Sequence, residues 1–557
     1  MLYPNLKSFV RNIQVKYWLL LIIFIAFLLR VNRIDIGFPG LFVSNDEAIL
    51  HQSALNMLAS KTPFTLGNYG PLGSYIQIPF LVLAFLVMLL QGTVSGIKGL
   101  ELLLLTQEGY LLFVPRAVSV MFGTLSVLII FKISLLLFRD KRAALWSAFF
   151  AAFSFNLVLV SHLARTWSPS IFFSLLAVYF AIKSTKQNLG FSILLSFVFA
   201  AVSFGFHQIS GIIIMLVILV HILHFKKGRI YRYLIGFVCW GLLVMLFNFL
   251  SLGSNFLSAL TPGNPTVGLV FLPKNVLSLT DWLNFFWSRN YLPKVTLDLI
   301  LTDGVIVLLS LFFFLKKQNC NKLIAVIGCF TLLNYLVVST VVPPFIRYFL
   351  ISFAFLPVFA GKAFTVILKK RPAKILALFV ISIACFNSVW WNITISKKAT
   401  FELLNVWVNK NINPKEMIVI NQRRNFGFVP SKKSAEIVRK FVPGFYQRSS
   451  NVIGDSYPSN VRDVIYIEAI DKSYQVENVE YMINTQPVKY VIVSYLYKNS
   501  RLQLEKKANI KLIKHFSPTG NIIYDAKIPE ALFDAPYFMP LFQLERVGPY
   551  IDIFAVN

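Results

Sequence analysis

Twelve mostly apolar stretches run through the first 394 residues, at about 17–31, 75–91, 113–138, 143–162, 167–182, 191–206, 209–225, 233–252, 303–315, 323–341, 346–367 and 375–394. A helix that crosses a bilayer needs roughly 20 such residues, so the pattern predicts a multi-pass α-helical membrane domain over 1–394. No small-residue cleavage site follows the first stretch, which reads as an anchor and not as a removed signal peptide. Beyond Thr394 the pattern changes. Short apolar runs, MIVI (417–420), VIYIE (464–468), KYVIVSY (489–495) and IDIFAV (551–556), are separated by polar, Gly- and Pro-containing segments. These predict strands of a small α/β domain over 395–557.

Charge gives the helices a direction. The chain carries 53 Lys+Arg against 24 Asp+Glu, a formal charge of +29, yet it is 57% hydrophobic with a mean hydropathy of +0.68. That combination excludes disorder and argues against a soluble or nucleic-acid-binding protein. Residues 1–394 hold 31 of the cations, and 20 of these fall at the N-terminus and in the segments around Arg139–Arg142, Lys183–Lys186, Lys226–Arg232, Lys316–Lys322 and Lys362–Lys374. The positive-inside rule places those segments and the N-terminus in the cytoplasm of a plasma-membrane protein, and the C-terminal domain outside. From Arg139 onward alternate crossings satisfy this. Before Arg139 one further crossing or a re-entrant segment is needed, and 97–114 is the candidate, for about 13 spans. No internal repeat is visible. Cys239, Cys320, Cys329 and Cys385 lie in or beside spans and read as buried, inert thiols.

Only nine acids occupy residues 1–394. Asp46-Glu47 opens DEAILHQSALNMLAS, whose Ala48, Leu55, Leu58 and Ala59 lie at helical spacing. One reading is a pair of acids in the first turn of an interfacial helix, where they suit the macrodipole. The other is a carboxylate at the membrane surface that takes a proton from a hydroxyl. His51, one turn past Glu47, can pair with it. Asp46, Glu47 and His51 have no fixed metal-ligand spacing, so a divalent cation is possible and nothing more.

The segment SNDEAILHQSALNMLA resembles the Asp-Glu segment in the first outer loop of the GT-C membrane glycosyltransferases. More closely, it is similar to the protein O-mannosyltransferase and aminoarabinose transferase group (glycosyltransferase family 39 and its relatives). NYGPLGSYIQIPF (68–80), the stretch from Pro115 to Thr166, PPFIRYFLISFAFLPVFAG (343–361) and the ending VGPYIDIF resemble further family segments in the same order. The resemblance implies transfer of a sugar from a polyprenyl-phosphate carrier to an acceptor on the outer face, an inverting reaction in which Asp46 is the general base. It implies that Glu47 orients the site or binds a cation, and that Arg347-Tyr348 is the family's late Arg-Tyr pair. Two departures stand out. Tyr69-Gly70-Pro71 replaces the Glu-Lys that some relatives carry before the proline, and Ser161-His162, followed by Arg165, replaces Ser-Arg.

A departing lipid phosphate sits at headgroup level and calls for outward-side cations. With the cytoplasmic segments set aside, the candidates are Arg30, Arg33, Lys61, Arg165, Lys274, Arg289, Lys294 and Arg347. Arg347 follows Pro343-Pro344 and begins a span. Arg165 lies at a turn between two spans, and Lys274 and Arg289 lie in the long loop 253–302. For each, the competing account is an interfacial cation that snorkels to the headgroups. His207 sits at an outer turn; contact with an acceptor or metal is one reading, and a satisfied interfacial histidine is the other and more common one. The expected partners are thus a polyprenyl-phosphate sugar, membrane lipids and an acceptor (protein, lipid or glycan), with no nucleic acid.

Two other classes fit parts of the pattern. A flippase or transporter of a lipid-linked sugar places ionisable groups within its spans, where the sequence offers only Lys132. A non-catalytic envelope assembly protein would explain the C-terminal domain and leave Asp46-Glu47 as capping acids.

Overall fold

The computed structural model describes residues 3–36, 47–60, 70–106, 110–187, 190–225, 227–252, 292–316, 321–341, 346–369, 373–421, 428–441, 461–467, 476–495, 510–519 and 544–556. The chain divides into two compact units. One comprises Met1–Asn32, Ile49–Ile78 and Pro115–Trp390; the other comprises Arg33–Ala48, Pro79–Val114 and Trp391–Asn557.

All twelve apolar stretches are helical. Among the described residues seven helices are long and apolar enough to cross a membrane, two more candidates are bent pairs, and three are shorter apolar helices. The protein therefore has the helices of a membrane protein. Within 97–114, where a further crossing is one of the two expectations and a re-entrant early segment the other, Ile97–Thr106 forms a helix of ten residues. At 1.5 Å per residue this is about half the length a crossing needs.

The helical unit is built from α1 (Tyr3–Val31), most of α2 (Glu47–Ser60), and α3 (Leu72–Tyr75). After α4 (Ile78–Leu90) and α5 (Ile97–Thr106) it continues with α6 (Phe113–Phe138), α7 (Lys141–Phe153), α8 (Phe155–Ser161), α9 (Trp167–Gln187), α10 (Gly190–Phe206), α11 (Ile213–Leu223) and α12 (Ile230–Leu252). Then follow α13 (Leu292–Leu315), α14 (Lys322–Val341), α15 (Leu350–Phe353), α16 (Leu356–Ile367) and α17 (Ala373–Ser396). Close packing in lipid relies on small residues and interhelical hydrogen bonds, since tails are as apolar as leucine. The sequence of α7 supplies both: Ala143, Ala144, Ser147, Ala148, Ala151 and Ala152 are all buried. Ser147 Oγ donates to the Val358 carbonyl of α16 at 3.2 Å. Ser170 and Ser174 of α9 meet Ser203 of α10 at 3.5 and 2.7 Å.

A two-residue connection joins α6 to α7. Arg139 adopts φ +50 and closes the end of α6, with its amide donating to Leu135 O at 2.9 Å. Asp140 then caps α7 by accepting from the amides of Arg142 and Ala143. Partial burial acts to raise the Asp140 carboxyl, but the Lys362 ammonium at 3.1 Å and those two amides outweigh it and hold the group below the ordinary carboxylate range.

The second unit contains a five-stranded sheet of order β4-β1-β5-β7-β6. Its strands are β1 (Met417–Ile420), β4 (Val464–Tyr466), β5 (Val488–Tyr495), β6 (Ile510–Phe516) and β7 (Tyr550–Val556), while β2 (Val429–Pro430) and β3 (Val461–Arg462) pair separately. All four runs expected to be strands lie in the large sheet. The parallel β4-β1-β5 part is uniformly buried in β1 and β4, as strands covered on both faces should be. β6 was not expected: IKLIKHF carries two lysines and a histidine on an otherwise short apolar pattern. The ending VGPYIDIF has a local explanation. Gly548 adopts φ +120, a conformation open to glycine, and the flanking carbonyls of Val547 and Pro549 accept from the amide and hydroxyl of Thr400 at 2.9 and 2.8 Å.

Candidate functional site

Several buried polar groups of the helical unit gather around the turn 162–166. Arg165 is 4% exposed, and its carbonyl accepts from Ser119 Oγ of α6 at 3.1 Å. One helical turn before Ser119 is Arg116, 1% exposed. His162, also buried, lies within electrostatic reach of Arg116 and Arg30, and its Nδ1 is 3.0 Å from Val158 O.

Immediately after the turn, Trp167 stacks on His207 with ring centroids 3.8 Å apart and meets Tyr348 edge-on at 5.5 Å. The guanidinium of Arg347, 6% exposed, lies 5.0 Å over the Tyr348 ring. Residues 165, 167, 207, 347 and 348 therefore belong to one contiguous cluster, although they come from three separate parts of the sequence. Arg347 sits in a short 3-10 turn, Ile346–Phe349, that leads into α15 and the bent span. At 5.0 Å the guanidinium is in cation–π range of the Tyr348 ring.

The segment starting at Gly70 packs against the same turn. A Cβ on Gly70 would lie 2.2 Å from the carbonyl oxygen of Gly205, two residues before His207. One on Gly73 would lie 2.3 Å from Thr166 Cγ2. Only glycine allows these approaches, which accounts for the Gly-Pro-Leu-Gly stretch in physical terms. Leu50 and His51 of α2 lie nearby, with Leu50 O accepting from Ser74 Oγ at 3.4 Å. His51 is 1% exposed, and burial lowers its pKa to about 4, so it is neutral at physiological pH.

Of the residues expected at the site, the structure brings together Arg165, His207, Arg347 and Tyr348. Glu47 is the first residue of α2 and is fully buried. Asp46, Tyr69, Lys274 and Arg289 lie outside the described residues, as does Lys61. Two of the candidate cations have structural work instead. Arg30 donates to Ala26 O, Ala152 O and Ala151 O at 3.0, 3.1 and 3.1 Å. Arg33, at φ +52 just after α1, bonds Glu402 at 2.7 Å, Asp35 at 3.1 Å and the carbonyls of Ser396 and Lys397. Arg116 is the residue that sequence reasoning missed. Its signal is the Pro115-Arg116 pair near the start of the long apolar helix α6. Among the described residues no group of three or more His, Cys, Asp or Glu converges to hold a metal ion.

Fold and cluster together define a class: a helical membrane unit holding a buried cation–aromatic cluster, carried on one chain with an α/β unit. The chain is similar in structure to the archaeal oligosaccharyltransferase AglB from Archaeoglobus fulgidus, solved with an inhibitory peptide and a dolichol-phosphate (TM-score 0.46, 12% identity, 87% of this chain and 70% of that one). It is similar to ArnT from Cupriavidus metallidurans bound to undecaprenyl phosphate (TM-score 0.47, 10% identity, 90% of this chain and 96% of that one). It is also similar to the mycobacterial arabinofuranosyltransferase AftD (TM-score 0.45, 13% identity), covering 97% of this chain but only 41% of that one. No family model and no curated protein sequence matches the chain.

Proposed function

We propose that the protein transfers a sugar from a polyprenyl-phosphate-linked donor to an acceptor hydroxyl at the outer face of the plasma membrane, with inversion. The observation that carries this reading is the aromatic cluster of Tyr348, Trp167 and His207 with Arg347 against it and Arg165 two residues before Trp167, in a unit of membrane-length helices. Buried cations are costly in such a unit, so each calls for a partner, either open carbonyls as for Arg30 or an anion. Arg347 and Arg165 neutralise the phosphate as it departs, and Arg116 adds to the positive potential at the same turn. Asp46 takes the acceptor proton, a role assigned on the sequence resemblance and on its chemistry. The acceptor oxygen bonds to the anomeric carbon, the bond from that carbon to the phosphate oxygen breaks, and polyprenyl phosphate leaves with the electron pair. Glu47 orients Asp46. Lys274, Arg289 and Tyr69 are assigned to donor or acceptor contacts in the same scheme.

A transporter needs ionisable groups that act along a pathway. Arg30 and Asp303 do lie buried within membrane-length helices, but their side chains are committed to backbone groups. That commitment removes the strongest support for transport. The test uses the purified protein in lipid nanodiscs with a panel of radiolabelled polyprenyl-phosphate hexoses and pentoses. Asp46→Asn is expected to abolish transfer and Arg347→Ala to weaken donor binding. A well-folded Asp46→Asn variant that transfers sugar at the parental rate sinks the assignment of the base.

A further inference from the structure

The span formed by α7 and α8 is broken. The two pieces meet at Ser154 (φ −59, ψ 116) at an angle of 55°. A break within a membrane exposes backbone groups that no water can satisfy, so it persists only where protein supplies the partners. Here those partners can be followed one by one. The last carbonyls of α7 accept from Arg30 at Ala151 and Ala152 and from Ser388 Oγ at Phe153, the last at 2.7 Å. The first amides of α8, Phe155 and Asn156, donate to the Asp303 carboxylate at 2.8 and 3.3 Å. Ser154 Oγ and Asn156 Nδ2 donate to the same carboxylate at 2.9 and 2.7 Å.

Asp303 itself sits at a break. It has φ −120 and ψ 24 inside α13, and the carbonyls of Leu301 and Thr302 just before it accept from Asn387 Nδ2 at 3.0 and 2.6 Å. Asn387 and Ser388 are neighbours on α17, so one dipeptide caps both broken helices. The charges match the dipoles as well: a guanidinium stands at the C-terminus of α7 and a carboxylate at the N-terminus of α8. Ser161, at the far end of α8, is followed by His162 and Arg165.

We propose that Arg30, Asp303, Asn387 and Ser388 form a polar joint that fixes the direction of α8, and that Asp303 is thereby a positioning residue for the 162–166 turn and for Arg165. The consequence for donor binding rests on the transferase reading above; the consequence for geometry does not. Neutral asparagine at 303 offers an N–H pair where the joint needs an acceptor, so α8 loses its anchor and swings. The phosphate-facing turn is then held in place for a smaller share of the time, while the reacting groups of any bound donor are unchanged.

The test reads geometry and chemistry separately. In full-length protein with Cys239, Cys320, Cys329 and Cys385 replaced by serine, the pair Ser161→Cys and Ser168→Cys spans the turn, since the two hydroxyl oxygens are 3.4 Å apart. The disulfide is expected to form readily in this parent and about tenfold more slowly after Asp303→Asn, with recovery in Asp303→Glu. In transfer assays without the cysteine pair, Asp303→Asn is expected to raise the donor KM about tenfold with kcat within about twofold. If cross-linking is slowed but the parent binds no polyprenyl-phosphate sugar, the joint stands and the transferase reading falls. An unchanged cross-linking rate in Asp303→Asn overturns the joint. Should that variant fail to accumulate, Asn387→Ala and Ser388→Ala each remove one cap, and parental cross-linking rates in both overturn it equally.

Discussion

Arg30 and Arg347 are the same residue type, in the same helical unit, and both are buried, yet they are held in opposite ways. Arg30 points its N–H donors at carbonyl oxygens left open at the end of α7 and on its own helix. Arg347 has its guanidinium carbon 5.0 Å from the centre of the Tyr348 ring. A guanidinium bonded to the carbonyls of a broken helix closes a structure. One set against an aromatic cluster is placed, in the proposed function, beside an anion. Burial alone therefore does not separate a ligand-binding cation from a capping one; the partners that each meets do.

That comparison can be broken by variants that should fail in different assays. The largest effect is expected away from both arginines: Asp46→Asn should lower kcat by about 10²–10⁴-fold, the usual worth of a general base, with the donor affinity preserved. Loss of donor affinity in that variant would move Asp46 from proton transfer to donor binding. Arg30→Met keeps the length of the side chain but leaves the Ala151 and Ala152 carbonyls open, and should cost about 3 kcal/mol of stability. Denaturation in mixed micelles measures it, and the comparison fails if stability is unchanged while donor binding is lost. Arg347→Ala should show the reverse, a donor affinity lower by about 10–100-fold at nearly parental stability. Arg347→Lys should recover only part of it, because an ammonium lacks the planar fork.

The smallest effect concerns Asp140 and Lys362 at the α6–α7 turn, a half-buried pair worth about 1 kcal/mol or less. Asp140 has its folded pKa depressed, so its stabilisation is present above the unfolded value of about 3.9 and is lost as pH falls through the folded one. The stability difference between the parent and Asp140→Asn should accordingly be constant above about pH 4 and shrink below it. A difference that persists unchanged into stronger acid would remove the carboxylate from the account.

Much of the helical unit was legible because a membrane imposes one simple rule, and the twelve apolar stretches obey it. The strands at 417–420, 464–466, 488–495 and 550–556 were legible for a similar reason: apolar runs between turn residues have few alternatives. The site was legible only in part. Arg347 and His207 stand out in the sequence as polar residues between apolar stretches, Tyr348 by the resemblance, and the three lie in one cluster around Trp167. Asp303 opens the apolar stretch 303–315 with nothing nearby to mark a role, but its carboxylate is buried and caps a helix almost 150 positions earlier in the chain. No local spacing announces a cap supplied in trans. Arg30 looked like a phosphate ligand for the same reason, since its carbonyl partners belong to residues 151 and 152. The missing signal was the break at Ser154. A serine between two phenylalanines does not mark an end in a stretch that reads as one continuous span.

By itself the sequence determined which segments are apolar enough to be helices in lipid, that short strands follow Thr394, and which few charged residues stand outside the basic clusters. Those properties follow from composition and periodicity, which are local. Only the tertiary structure decided which buried charges face a ring and which close a broken helix. That distinction depends on which partners each charge meets, and backbone groups freed at one place in the chain are satisfied by side chains from another.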